Sequence, residues 1–228
     1  PIDRVFATLN LNYDIAPGHK LIFENSLADT KVVSQLAPIP LSLGSGLTIE
    51  DGKLVTVPLS NPFVPDDVRA LLAEEGLSGA EGLILSRRIV ELGPRRTHIA
   101  RRTIRSLIGF QGMMAPGWSY DVYYQFGRNE VDEERDGLLD LKNYAASLDP
   151  DLCARTVGCS VINPFGFGHL SDSQVDFLKA PNATRKIHTR QNIFSFAISG
   201  PLEWFTDEDT KLTLGLEYRH EALDDEPD

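Results

Sequence analysis

The 228-residue chain has no run near the eighteen or so consecutive apolar residues of a membrane-spanning helix, so no helical span is expected. It has only two cysteines, Cys153 and Cys159, which excludes a disulfide-rich scaffold. No further thiol or histidine lies at ligand spacing beside them, so a metal site is not expected either. Positive charge is scarce: the net charge is −11, whereas phosphate binding needs a basic footprint, and nucleic acid is not an expected partner. The amino terminus, Pro1-Ile2-Asp3-Arg4, lacks an initiator Met and the basic and apolar regions of a signal peptide, which reads as a processed or excised piece. A catalytic constellation is missing too. The five histidines, His19, His98, His169, His188 and His220, are scattered, and no Ser or Cys stands beside a base at a nucleophile elbow. Gly44-Ser45-Gly46 and Gly166-Phe167-Gly168 are too short to cradle phosphates. Neither an enzyme nor a cofactor is expected.

What the chain does have is period-two alternation. From Ile104 to Met114 the even positions Ile104, Ile108, Phe110 and Met114 are apolar, against Arg105 and Gln111. After Ala115-Pro116-Gly117 the pattern resumes, with Trp118, Tyr120, Val122, Tyr124 and Phe126 against Ser119, Asp121 and Gln125. A second hairpin is read earlier: Val5, Ala7, Leu9, Leu11, Tyr13 and Ile15 alternate with polar residues, Ala16-Pro17-Gly18-His19 turns, and Lys20 to Ala28 returns. The third runs through Phe194, Phe196, Ile198, Leu202 and Trp204, turns at Thr206-Asp207-Glu208-Asp209, and returns through Leu212, Leu214, Leu216 and Tyr218. Gly200-Pro201 inside it suggests a bulge.

Two long connections separate these hairpins. The first, from Asp29 to about Leu83, loses all periodicity except for one helix, opened by Pro65-Asp66-Asp67 and stopped by Gly76. The second, from Arg128 to about Thr184, carries an acidic run, helical stretches near 137–148 and 171–179, and the cysteine pair, whose spacing suits a small disulfide staple in an oxidising compartment. Arginines cluster between, at Arg87, Arg88, Arg95, Arg96, Arg101, Arg102 and Arg105, as a solvated strand end or as an attractor of anions.

Hairpins with one apolar face fit either a soluble sandwich, for instance a carbohydrate-binding module, or the wall of a membrane barrel. Short turns on one side and long loops on the other are the asymmetry of outer-membrane barrels. Trp118, Trp204 and Phe205 fall beside the short turns, as an interfacial aromatic girdle does. The expected fold is therefore all-β: up-and-down antiparallel strands, about six of them, forming part of a transmembrane β-barrel whose long extracellular loops carry short helices. A passive porin would share such a wall.

The sequence also resembles the barrel of TonB-dependent outer-membrane receptors over nearly its whole length. The resemblance lies in Asn61-Pro62-Phe63-Val64-Pro65 and the helix after it, the hairpin from Ser106 to Gly127, the loop from Cys153 through Asn163-Pro164-Phe165-Gly166, and Gly215-Leu216-Glu217-Tyr218-Arg219. It implies a Gram-negative outer-membrane location and a barrel of about 22 strands closed by a plug. It also implies import of a scarce small-molecule nutrient such as a siderophore, vitamin or saccharide, energised through TonB. The chain shows no plug and no TonB box, so residues 1–228 read as a segment of the wall. Its implied partners are outer-membrane lipid, the remaining strands, the plug and, through the plug, TonB. On parity the expected lumenal, ligand-facing residues are Arg101, Arg105, Gln111, Asp121, Tyr123 and Gln125.

Overall fold

A computed structural model describes residues 1–42, 48, 54–77, 82–202 and 210–228. In chain order its strands are β1 (Ile2–Ala16), β2 (His19–Leu36), β3 (Pro40–Ser42), β4 (Ser86–Arg88), β5 (Arg95–Ala115), β6 (Trp118–Asp136), β7 (Ala183–Pro201) and β8 (Lys211–Pro227). Its helices are α1 (Asp66–Glu74), α2 (Leu141–Leu148), α3 (Pro150–Cys153) and α4 (Asp172–Leu178). Strands take 58% of the described residues and helices 15%, so the fold is all-β. The chain divides into two compact units, one holding Pro1–Val33, His98–Glu134 and Thr184–Asp228, the other Ser34–Thr97 and Arg135–Ala183.

The first unit is built on a six-stranded antiparallel sheet in the order β1-β2-β5-β6-β7-β8. Each strand follows its neighbour because the turns are tight. Both Ala-Pro-Gly turns use proline's fixed φ and then a glycine in the left-handed region, Gly18 at φ 75° and Gly117 at φ 81°. Among the described residues the sheet is not closed into a barrel, and β1 and β8 form its two edges. The strands are also longer than the alternation suggested. Here β5 has 21 residues and β6 has 19, and β2 continues through Leu36, where no periodicity is visible. Ladder hydrogen bonds need no apolar pattern, so pairing runs past the point where one face stops being apolar.

Register places most of the apolar side chains opposite one another, with Asp29 and Asn25 as the polar exceptions on β2. Val5, Ala7, Leu9, Leu11 and Tyr13 stand opposite Asp29, Leu27, Asn25, Phe23 and Leu21, and Phe194, Phe196 and Ile198 stand opposite Tyr218, Leu216 and Leu214. Asn25, a break in the pattern, is satisfied on this apolar face by donating to Ser106 Oγ at 2.6 Å. Within this unit, among the described residues, no second layer covers the face. Leu9 is 60% exposed, Leu216 63% and Tyr218 63%, and Ile193 is the one large apolar side chain buried in this unit among the described residues.

The bulge expected at Gly200-Pro201 is not there: β7 pairs with β8 without a break from Arg185 to Pro201. Gly200 serves packing instead. The Trp118 indole lies against it, and a β-carbon at Gly200 would come within 2.2 Å of the ring. Trp118 is thus a packing residue between β6 and β7, whatever it meets outside. Trp204, Phe205 and the turn at 206–209 lie outside the described residues. Gly200→Ala forces the indole away at about 1 to 3 kcal/mol, an overpacking cost. Denaturant unfolding should show most of that loss restored when Trp118→Leu is added.

The second unit is where the two long connections fold together. Leu41, Val55, Val57 and Val64 from the first, with Ile89 and Leu92 just after it, share one core with Tyr144, Leu148, Ile162 and Leu178 from the second. Local signals build the pieces. Helix α1 starts after Pro65 and ends at Gly76 (φ 69°), while α4 is opened by a full capping box of Ser171 and Gln174. Both Asn-Pro-Phe triplets make the same turn, with the amide of Phe63 donating to Asn61 Oδ1 and that of Phe165 to Asn163 Oδ1, each at 2.9 Å. Asn61 is fully buried, and its Nδ2 reaches across to the Leu148 carbonyl at 2.7 Å. Cys153 and Cys159 are joined in a disulfide, Cα to Cα 5.3 Å.

Part of the arginine cluster, Arg87, Arg88 and Arg95, is tied into this unit, while Arg96, Arg101 and Arg102 stay exposed. Arg87 and Glu91 have side chains only 6% and 7% exposed and pair at 2.7 Å; Arg87 Nη1 also donates to the Pro164 carbonyl, and the Gly168 amide donates to Glu91. Phe167 lies against the guanidinium, 5.9 Å from the ring centroid. Arg88 and Arg95 donate to the carbonyls of Pro38 and Ala37. These arginines hold chain segments in place.

Candidate ligand-binding face

The face of the six-stranded sheet opposite the apolar one is polar, and register rather than sequence proximity assembles it. Arg105 on β5 donates through Nη1 to Glu24 on β2 at 2.9 Å and through Nε to Gln125 on β6 at 2.7 Å. Gln125 passes a proton donor on to Gln191 of β7 at 3.4 Å, and Gln191 donates to Glu221 of β8 at 2.6 Å. One chain of side-chain hydrogen bonds therefore crosses five strands. It costs no buried charge, since Arg105 and Glu24 are each about two-fifths exposed.

Of the six residues expected to face a ligand, the structure brings together two pairs. Arg105 and Gln125 meet as above, and Gln111 donates to Asp121 at 2.7 Å nearer the short turns. Gln111 and Asp121 help line a concavity of about 960 Å³ with Asp14, Lys20, Ser119 and Ser199. His19 borders it, its Nδ1 3.0 Å from the Tyr120 hydroxyl, and Gly112 leaves the space this pair needs, since a β-carbon there would lie 2.4 Å from Nδ1. Tyr123 is half-buried beside Gly109, where a β-carbon would fall 3.1 Å from its own. Arg101 is exposed and joins neither pair.

Arg105 and Gln125 border a second, smaller hollow of about 260 Å³ with Thr103, Asn129, Thr189 and Gln191, floored by Gly127. Sequence reading placed Glu24 on the polar side of its strand but missed Gln191, Glu221, Asn129 and Thr189 as members of this face. The available signal was parity, because Gln191 and Glu221 sit opposite the apolar positions of their own strands; which strand they meet is a matter of register. Among the described residues no group of three or more His, Cys, Asp or Glu is arranged to hold a metal ion. No family model, no curated protein and no solved structure matches the chain.

Proposed function

We propose that the sheet is part of the wall of an outer-membrane β-barrel of the TonB-dependent receptor kind, binding a scarce nutrient on its polar face and passing it inward. The observation that carries this reading is the uncovered apolar face. A sheet in water must bury such a face against another layer, and here each of the six strands keeps at least one large apolar side chain exposed on it, among them Leu9, Leu27, Ile108, Tyr124, Phe194 and Leu216. Its height is that of a bilayer: Val5 to Ile15 spans about 34 Å at ~3.4 Å per residue, or about 26 Å along the membrane normal at a tilt of about 40°, against an apolar band of about 25 Å. On the same face the band gives way to charge. Arg102 pairs with Asp29 at 3.3 Å, Arg128 pairs with Glu130, and His188 stands 3.8 Å from Glu130.

Two further features support a receptor over a passive pore. The two long connections fold into a unit with its own core, which suits loops that recognise a solute, and the sequence resembles the receptor family along most of its length. The open edges β1 and β8 belong in this reading against further strands and the plug, since unpaired backbone groups are not tolerated in lipid. A soluble sandwich would need a partner layer over Leu9 and Leu216. Single cysteines placed from Phe194 to Ser199 and labelled with a polarity-sensitive dye test the reading in lipid vesicles. Labels at 194, 196 and 198 should report hydrocarbon and be quenched by brominated lipid, while those at 195, 197 and 199 should report water. Uniform, water-like emission at all six sites would end it.

A further inference from the structure

We propose that the hollow over Gly127 binds a carboxylate group; that this carboxylate belongs to the imported solute rests on the transport reading. The hydrogen-bond inventory of its walls decides the chemistry. Each side-chain carbonyl there already accepts from the protein: Gln125 Oε1 from Arg105, Gln191 Oε1 from Gln125, and Asn129 Oδ1 from the Thr103 hydroxyl at 2.8 Å. What remains without a partner among the described residues is two nitrogen donors, Arg105 Nη2 and Asn129 Nδ2, and the Thr189 hydroxyl, which can donate or accept. Two fixed nitrogen donors, one of them on a guanidinium, and a hydroxyl free to turn its proton suit a group that only accepts, and an ionised carboxylate offers about four lone-pair sites and no proton.

Charge points the same way. The polar-face side chains that line it include Arg105 and no acid; Glu24, which pairs with Arg105, and Glu221 sit at the two ends of the hydrogen-bonded chain. At about 260 Å³ the hollow lies under the usual range for a whole ligand, about 300 to 1,000 Å³, so it takes an end group rather than an entire solute. Gly127 supplies the room: a β-carbon there would meet nothing nearer than Gln191 Cβ at 3.8 Å, so a larger residue can fill the hollow without straining the sheet.

The full chain in detergent micelles, titrated with succinate and followed by saturation-transfer NMR, tests this, with succinamide and inorganic phosphate as parallel probes. Succinate should bind at least tenfold more tightly than succinamide, and Gly127→Val should abolish saturation while leaving the β-sheet circular dichroism unchanged. Arg105→Gln should weaken succinate roughly ten- to a hundredfold, the range for a charge-assisted hydrogen bond. Equal binding of succinate and succinamide, undiminished binding by Gly127→Val, or tighter Gly127-dependent binding of phosphate would each overturn the assignment. A chain that enters vesicles but does not distinguish succinate from succinamide ends this inference alone. One that binds succinate but stays out of lipid ends the transport reading and leaves the hollow standing.

Discussion

Leu216→Arg should cost about 2 to 4 kcal/mol in a lipid bilayer, the range for a basic residue at the midplane of a barrel's lipid face. Leu216 faces Phe196 across the β7–β8 ladder in the middle of the apolar band, and it is 63% exposed in the isolated chain. In water that exposure makes the same substitution nearly silent, within about 0.5 kcal/mol, because little surface is lost from burial. The two solvents therefore give opposite answers for one residue. Ala222→Arg provides the depth control: it lies on the same face of β8, beyond the band and opposite Arg190, and should cost about 0 to 1 kcal/mol. Urea titrations in vesicles, scored by the heat-modifiable gel mobility of folded barrels, would measure both. If Leu216→Arg is as mild as Ala222→Arg, the apolar face does not meet lipid.

Removing one half of the Arg87–Glu91 pair should destabilise the second unit by about 3 to 5 kcal/mol, because the remaining charge stays buried without its counter-ion. The pair is weak evidence of net stabilisation, since Arg87 Nε is itself buried without a partner. Arg87→Met combined with Glu91→Leu should accordingly recover most of the loss. Acid should mimic the single mutant. Burial by itself would raise the Glu91 carboxyl, but its own backbone amide, the Arg87 guanidinium and the Gly168 amide donate to it, and with the Arg87 charge they hold it below the ordinary carboxylate range. A depressed carboxylate contributes stability above its unfolded pKa and loses it as pH falls through the folded one. Base acts from the other side. Burial is the main cause that pushes the Tyr144 phenol up to about 12, so stability is complete below the unfolded value near 10 and drains away as pH rises toward 12. Hydrogen exchange at the Ile89 amide, bonded to Ile39, and at the Tyr144 amide, bonded to Asp140, should quicken at both extremes and in Arg87→Ala. Exchange unaffected by Arg87→Ala would show that the pair does not hold this core together.

The alternation of Trp118, Tyr120, Val122, Tyr124 and Phe126 was enough, by itself, to say that these residues share a face, because side chains in a strand point to opposite sides at every step. The helix at 66–74 was equally legible, since Pro65, the two aspartates and Gly76 act within a few residues of one another. So was the order of short turns and long connections. The chain alone could not pair Gln125 with Gln191, set Trp118 against Gly200, or bury Arg87 with Glu91 among residues from a connection more than forty positions away. Those contacts depend on strand register and on two connections condensing into one core. Both are set by free energies summed over many distant residues, and no local pattern encodes them.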